Sequence, residues 1–376
     1  MRVLIVGCGI VGATIAYELS GDDRFDITVV DRQPGPVEAD GAGICPTSTG
    51  AALGLLMAAI AKKEKGRNLK MRLAGVDWYD RVIPQLIATT GLEIPYNRQG
   101  ILMLQYQSDR FEDDRRQWEV LMKIRPSQNR RLEIWYPNQI RSVCPHIDVT
   151  HDRAWGAVYS PDDRQVHPAL LTQALINAAQ QRGVKFEFGR EVLGVTLGKK
   201  SPGVKTTTGA IKSDVVVISA GLGSAKMSTL DLRPVLGQAI QVTMAEPIGI
   251  PGFQPIITGH DVHLIPVNQT PENLDYYVGA TVEFEAEPPI GTLKPNPATF
   301  DALWTQACRM IPALASATQV RRWSGLRPRP NGRPAPIIEW ADENSKVLLA
   351  TGHYRNGVLL APATAIEVRS MLEGVS

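Results

Sequence analysis

Residues 1–32, MRVLIVGCGIVGATIAYELSGDDRFDITVVDR, decide the fold. Residues 2–6 are a short apolar run of the kind that forms a parallel strand buried on both faces. Gly7, Gly9 and Gly12 follow in G-x-G-x-x-G spacing, and the chain then reads as helix through Leu19, with Ile10 and Val11 in its first turn. A second apolar run, Ile27 to Val30, ends in Asp31 and Arg32. The spacing has a physical reason. Gly7 permits a tight turn, Gly9 lets a pyrophosphate approach the backbone, and Gly12 lets helix and strand pack closely. The pyrophosphate then sits at a helix N-terminus, where free N–H groups and the helix dipole favour negative charge. Asp31 can accept both ribose hydroxyls of an adenosine, and its charge argues against a 2'-phosphate there. The unit therefore predicts a dinucleotide site in an α/β fold.

Working outward, a chain of 376 residues is long enough for two domains. A hydrophobic content of 44% with 21% charged residues is ordinary for a globular protein, and the formal net charge of +2 gives no bulk attraction to nucleic acid or anionic membrane. The four cysteines, Cys8, Cys45, Cys144 and Cys308, are far apart and suggest free thiols in a reducing compartment. Residues 1–30 lack the layout of a signal peptide, and the apolar run 51–61 is too short to span a bilayer. A cytoplasmic location without an integral membrane segment is expected.

Past Asp31, the Gly- and Pro-rich stretch 33–50 leads into a small-residue run, Ala51 to Ala61, that reads as a helix suited to packing beneath a flat cofactor. Residues 69–90 carry apolar positions at helical spacing. A strand is expected in 99–106 and a charged amphipathic helix over 109–125. After SPDDRQVHP (160–168), a helix from Ala169 to Gln181 is framed by Pro168 and Gly183. Strands follow at 185–188, 192–195 and 215–218, the last running into Ala220, Gly221, Leu222 and Gly223. Such an A-G-x-G at a strand end is where an open sheet meets a ligand. Residues 235–287 are rich in β-branched and aromatic residues, with strands expected at 238–243, 263–267 and 276–281, and 297–315 reads as helix. The cofactor domain is thus expected to be discontinuous, comprising 1–90, 146–234 and 320–376. A substrate domain of 91–145 and 235–319, α+β in class, would be built on an antiparallel sheet.

Three features near the C-terminus point to chemistry: Ser324-Gly-Leu-Arg-Pro328, the strand 346–351 with Gly352-His-Tyr-Arg-Asn-Gly357 after it, and the helix opening there, interrupted by Pro362. A glycine-bounded strand-to-helix junction presents backbone N–H groups to an anion or to the electron-rich edge of a flavin. Arg327 and Arg355 stand among small and apolar residues, where an arginine can clamp a carboxylate bidentately. His353 and His263 are the histidines placed to touch a ligand. No H-E-x-x-H, clustered Cys/His set or G-x-S-x-G elbow occurs, so no metal is expected.

With those residues in place, the chain resembles the D-amino-acid oxidase family of FAD-dependent oxidoreductases, nearest to its glycine oxidase branch, which is associated with thiamine biosynthesis. The resemblance covers essentially the whole chain. It rests on GCGIVG with Asp31, D-R-Q-V-H-P, ISAGLGS, Gly279-Ala-Thr281, SGLRP and above all GHYRNGVLLAPATA. It implies a glutathione-reductase-like Rossmann domain holding FAD non-covalently against an antiparallel substrate domain. Arg327 then looks like the partner of the substrate carboxylate, and residues 353–358 (His353, Arg355, Asn356, Gly357 and Val358 among them) like the segment along the flavin pyrimidine. Glu191–Val192 resembles the adenine contact, and Thr49, Gly50 and Ala51 the segment beside the flavin. Two positions depart from the family. His263 falls where a tyrosine often shapes the substrate pocket, and Cys45–Pro46 precede the flavin-side segment.

The implied reaction is oxidative deamination of glycine, sarcosine or a small D-amino acid. Hydride would pass from Cα to flavin N5, the imine would hydrolyse to an oxo acid, and oxygen would be reduced to hydrogen peroxide. Arg327, His263 and Arg355 are the candidate catalytic residues. Alternatives stay open: a D-amino-acid or proline dehydrogenase passing electrons to a quinone or protein carrier, a nicotinamide dehydrogenase, and a non-catalytic flavin-binding scaffold. The expected partners are a small amino- or imino-acid substrate and either oxygen or an electron carrier. Enzymes of this size commonly self-associate, which leaves a homo-oligomer open.

Overall fold

The computed structural model describes residues 1–41, 43–107, 111–150, 154–196, 202–270, 273–284, 293–341 and 346–374. Among them, the first strand, Arg2–Val6, lies at the centre of a six-stranded sheet. Its neighbours are Asp26–Val30 and Val215–Ile218, both parallel to it, with Val3 opposite Ile27 and Val215. Lys185–Glu187 extends one side in parallel. On the other side Val347–Thr351 is parallel and Ile337–Trp340 antiparallel. Both faces are covered. Val3 and Ile5 pack toward helices α1 (Ile10–Leu19), α2 (Arg67–Thr90), α5 (Pro168–Gln181) and α7 (Gly357–Glu373), so labelled with α3 (Phe111–Ile124), α4 (Pro137–Val143) and α6 (Pro297–Met310). Leu4 and Val6 pack toward the small antiparallel sheet formed by Val192–Thr196, Gly203–Thr206 and Gly209–Lys212. This two-sided burial is why the strand reads as a continuous apolar run rather than an alternating one.

A nine-stranded, mostly antiparallel sheet forms the second layer system. Its central pairing joins Leu232–Thr243 to Thr318–Pro330 over twelve register positions, Gly237 facing Gly325 and Val235 facing Arg327. One face buries Ile240, Val242, Leu264, Tyr276 and Val278 against Phe300, Leu303 and Met310 of α6. The opposite face buries Ile265, Tyr277 and Trp323 together with Trp118 and Leu121 of α3.

Most expected elements form close to their expected bounds, and three readings need correction. Ala51 to Ala61 is not a helix: only Leu55–Leu56 is regular, as a strand against Arg164–Val166. The physical reason is Asp163, whose buried carboxylate accepts the amides of Ala58, Ala59 and Ile60 at 2.6, 2.8 and 2.8 Å and so turns them away from any helical acceptor. Second, Ala154–Ser160 and Thr318–Pro330 hydrogen-bond into the nine-stranded sheet, so sheet membership does not change at the expected boundaries 146 and 320. Third, Pro362 does not interrupt α7. Asp109 and Arg110, the start of the expected charged helix, lie outside the described residues.

Pro362 has no N–H for the carbonyl four residues earlier, that of Val358. The hydroxyl of Tyr79 in α2 supplies the missing donor at 2.6 Å, fully buried. At the same crossing Gly75 admits the α7 backbone, since a Cβ there would lie 2.2 Å from the Leu359 carbonyl oxygen. Replacing Tyr79 by Phe should therefore orphan a buried carbonyl and cost about 1–3 kcal/mol. Chemical denaturation would show this as a lowered midpoint, and an unchanged midpoint would mean the carbonyl finds another donor.

Candidate functional site

The carboxyl ends of the parallel strands converge on a cavity of about 630 Å³ between the two large sheets. This is within the size range of small-molecule sites. At one end stand Gly7, Gly9, Ile10 and Val11, with Asp31, Arg32 and Val192 beside them. Gly7 adopts φ +99°, and a Cβ on it would lie 2.7 Å from the Ala220 backbone. Gly12 faces the protein instead of the cavity, because a Cβ there would stand 1.9 Å from the Gly7 carbonyl oxygen. The glycine roles thus divide as their spacing implies, into turn, open approach and helix packing. Gly9 caps α1 without a side-chain hydrogen bond, so the helix N-terminus faces the cavity through backbone amides, that of Ile10 donating to Thr49 Oγ1 at 3.0 Å. The Asp31 carboxylate is held by the amides of Cys8 and Gln33 at 2.5 and 2.7 Å.

Thr49, Ala51, Ala220, Gly221 and Gly223 line the middle of the cavity, whereas Gly50 does not: its Cα packs under the Val37 carbonyl, where a Cβ would lie at 2.1 Å. At the other end are His353, Arg355, Gly357 and Val358, with Arg327 and His263 from the nine-stranded sheet. Asn356 lies between these residues without lining the cavity. The N-terminus of α7 again has no side-chain cap, so two helix N-termini face one cavity. That donor pattern, with Asp31 at one end, fits a dinucleotide whose phosphates meet α1 and whose far ring system meets α7.

Arg327 is the best-defined cation. Its Nη1 donates to the carbonyls of Leu236 and Thr281 at 3.2 and 3.1 Å, and its guanidinium lies flat over Gly237, where a Cβ would stand 2.3 Å from Nη2. Burial, with Arg355 nearby, pushes its pKa down to about 10, so it remains a cation at neutral pH. No carboxylate among the described residues is ion-paired with it. Gly237 was not singled out by the sequence reading. Its one signal was a glycine inside a strand-like run, a mark of close approach by another group.

His263 shares a 2.8 Å hydrogen bond between Nδ1 and Thr258 Oγ1. Burial and the nearby Arg355 push its pKa down to about 4, leaving a neutral imidazole in the cavity wall. His353 is buried, with Nε2 2.9 Å from Thr364 Oγ1. The Thr364 hydroxyl itself donates to Leu360, so Nε2 of His353 carries the proton. Burial alone pushes its pKa down to about 4 as well. Tyr354, which lies inside the 353–358 segment without being singled out as a site residue, lines the cavity at φ +55°. The Cys45 thiol also lines it, and burial pushes its pKa up.

The D-R-Q-V-H-P segment is scaffold for this cavity. Beyond the three amides on Asp163, Gln165 Nε2 donates to Leu53 at 3.1 Å, and Arg164 forms a 3.1 Å ion pair with Asp80. Arg125, wholly buried, grips the same loop from its carbonyl side, donating to Ala59, Ala61 and Lys63. Burial pushes the Asp163 carboxyl upward while the amides pull the other way.

The description "FAD dependent oxidoreductase", of the DAO family, matches residues 2–371. The chain belongs to this family of FAD-dependent oxidoreductases. The oxidoreductase is 25% identical over 380 residues to the glycine oxidase of Bacillus subtilis, covering 99% of this chain and 92% of that one. It is 28% identical over 377 residues to the bifunctional protein ThiO/ThiG of Synechocystis, covering 98% of this chain but 51% of that protein, so it spans about half the length of that relative. The crystal structure of glycine oxidase from Geobacillus kaustophilus superposes with a TM-score of 0.82 at 24% identity, over 99% of this chain and 95% of that one. Among the described residues, no helix is long and apolar enough to cross a membrane.

Asp163→Asn replaces one acceptor oxygen by an NH₂ group, leaving buried amides of the 58–60 turn unpaired at about 1–3 kcal/mol each. The oxidoreductase should lose stability and release its flavin more readily, measured by denaturation midpoint and by flavin retained on dialysis. Equal values for both proteins would place the loop under other control. The histidines give a pH signature. A buried His353 with a folded pKa near 4 and an unfolded one of about 6.5 binds its proton preferentially in the unfolded chain. Stability from this group is full above pH ~6.5 and falls by up to about 3 kcal/mol as pH drops toward 4. The stability gap between pH 7 and pH 5 should narrow in His353→Gln, and an identical gap would refute the linkage.

Proposed function

We propose that this oxidoreductase oxidises the Cα–N bond of a small amino acid or secondary amine: glycine, sarcosine or a small D-amino acid. The product is an imine that water hydrolyses to an oxo acid, with oxygen as the electron acceptor and a cytoplasmic setting. The observation that carries this reading is the half-buried Arg327 guanidinium, held by two backbone carbonyls over Gly237 with no carboxylate partner among the described residues. A partly desolvated cation without a counter-ion is disfavoured unless a ligand supplies one, and an arginine supplies fixed, paired donors for a carboxylate.

FAD, when bound, supplies a two-electron acceptor for the substrate Cα–H bond. The amides around Gly7 and Gly9 would hold its pyrophosphate, Asp31 its ribose hydroxyls, and the α7 N-terminus the pyrimidine edge. The buried, protonated Cys45 thiol is a poor nucleophile, which favours a non-covalent flavin. Arg327 fixes the substrate carboxylate and thereby presents one face of Cα. His263, neutral across the physiological range, can accept a hydrogen bond from the substrate amine without adding charge. No side chain is needed to remove the α-hydrogen. Rate then comes from orientation and exclusion of water, with the α7 dipole favouring negative charge on the ring.

The test is anaerobic mixing of the purified holoenzyme with glycine, sarcosine, both alanines and both prolines while the flavin band is recorded. Bleaching by at least one is expected, and admission of air should restore the band and yield hydrogen peroxide. A restored band only after adding a quinone would move the protein to the dehydrogenase alternative. Arg327→Ala should keep its flavin yet lose about 10²-fold or more in kcat/KM, chiefly through substrate capture. Gly237→Ala, which displaces the guanidinium, should reproduce much of that defect. Unchanged kcat/KM in both variants would sink the assignment of Arg327.

A further inference from the structure

The substrate end of the cavity carries more positive charge than one carboxylate needs. Arg355 lines it alongside Arg327, and its exposed guanidinium makes no hydrogen bond or ion pair among the described residues. Arg329, exposed and outside the cavity lining, lies with its guanidinium 5.1 Å from the centre of the Phe284 ring and 5.8 Å from that of the cavity-lining Tyr354, stacked instead of ion-paired. The nearby acid is already committed: Glu283 accepts from Gln238 and Thr281 at 2.7 and 2.6 Å through one oxygen and from Asn296 at 3.0 Å through the other. The two acidic residues that line the cavity, Asp31 and Glu191, stand at its nucleotide end. His263 between the arginines is neutral and neither adds to nor offsets their charge.

We propose that Arg327 and Arg355 form a two-cation site for a substrate with two anionic groups, an amino acid or secondary amine carrying a second carboxylate. This rests on the amine-oxidising reading of the cavity and narrows its substrate class. Arg327, fixed on two carbonyls, orients the carboxylate next to the reacting carbon. Arg355, on a longer exposed reach, takes the second carboxylate. The stacked Arg329 adds to a positive entrance that draws dianions in. A monocarboxylate leaves one guanidinium without a partner, and a compound with a neutral second arm forfeits a charge-assisted bond.

A matched pair decides this. Iminodiacetate is sarcosine with a carboxylate on its methyl group. In the holoenzyme it should reduce the flavin with a kcat/KM at least about tenfold above that of sarcosine. Binding without turnover gives a second readout, because succinate should perturb the oxidised flavin spectrum at a concentration about tenfold lower than acetate does. Both preferences should collapse toward unity in Arg355→Met and recover in part in Arg355→Lys, with flavin content checked in each. If sarcosine matches or exceeds iminodiacetate, or if Arg355→Met leaves the preference intact, the two-cation site is wrong while amine oxidation stands. If no amine bleaches the flavin, the amine-oxidation reading fails. The succinate–acetate comparison then still decides the two-cation site, and equal binding overturns it.

Discussion

Everything in this fold depends on how closely backbone can approach backbone at the head of the first strand. Gly12 sits so near Gly7 that a single methyl group would lie 1.9 Å from the Gly7 carbonyl oxygen. That contact presses α1 against the end of Arg2–Val6 and aims the helix N-terminus along the carboxyl edge of the sheet. Ser219 secures the neighbouring strand end, its hydroxyl 3.1 and 2.9 Å from the carbonyls of Val6 and Gly7. The cavity has room because the strands that end at it are followed by small residues, Gly7, Ser219 and Gly352 among them.

A second constraint governs the wall facing that edge. Apart from the two-residue strand Leu55–Leu56, residues 53–63 have no regular structure to satisfy their backbone groups, and a buried segment cannot leave them unpaired. Asp163 takes three amides, Arg125 takes three carbonyls, and Gln165 takes the Leu53 carbonyl. A motif that stands out in the sequence for its density of polar residues therefore acts as scaffold. Its charges are taken up by backbone groups and by Asp80, whereas Arg327 and Arg355 have no carboxylate partner among the described residues.

Much of the architecture was legible before any coordinates. The first parallel strands, α1, α5 and the apolar strand 215–218 follow from periodicity and from Gly and Pro punctuation, which are local signals. The run 51–61 misled because small apolar residues are compatible with a helix, and the carboxylate that unwinds it lies over a hundred positions away, at Asp163. Pro362 misled in the opposite direction. A proline normally ends or kinks a helix, but the hydroxyl of Tyr79, from a different helix, replaces the lost donor.

The sequence by itself determined the nucleotide-binding unit, the presence of Arg327 and Arg355, and the family, because each is written in residue types at short spacing. Tertiary structure decided what those residues are free to do. It laid Arg327 across Gly237 on a neighbouring strand, put His263 in a setting that keeps it neutral, and committed Glu283 to Gln238 instead of to an arginine. Availability of a charge depends on which partners the fold brings within hydrogen-bond distance. The Arg327 acceptors Leu236 and Thr281 and the Glu283 donor Gln238 lie 91, 46 and 45 residues away along the chain, beyond the reach of any local pattern.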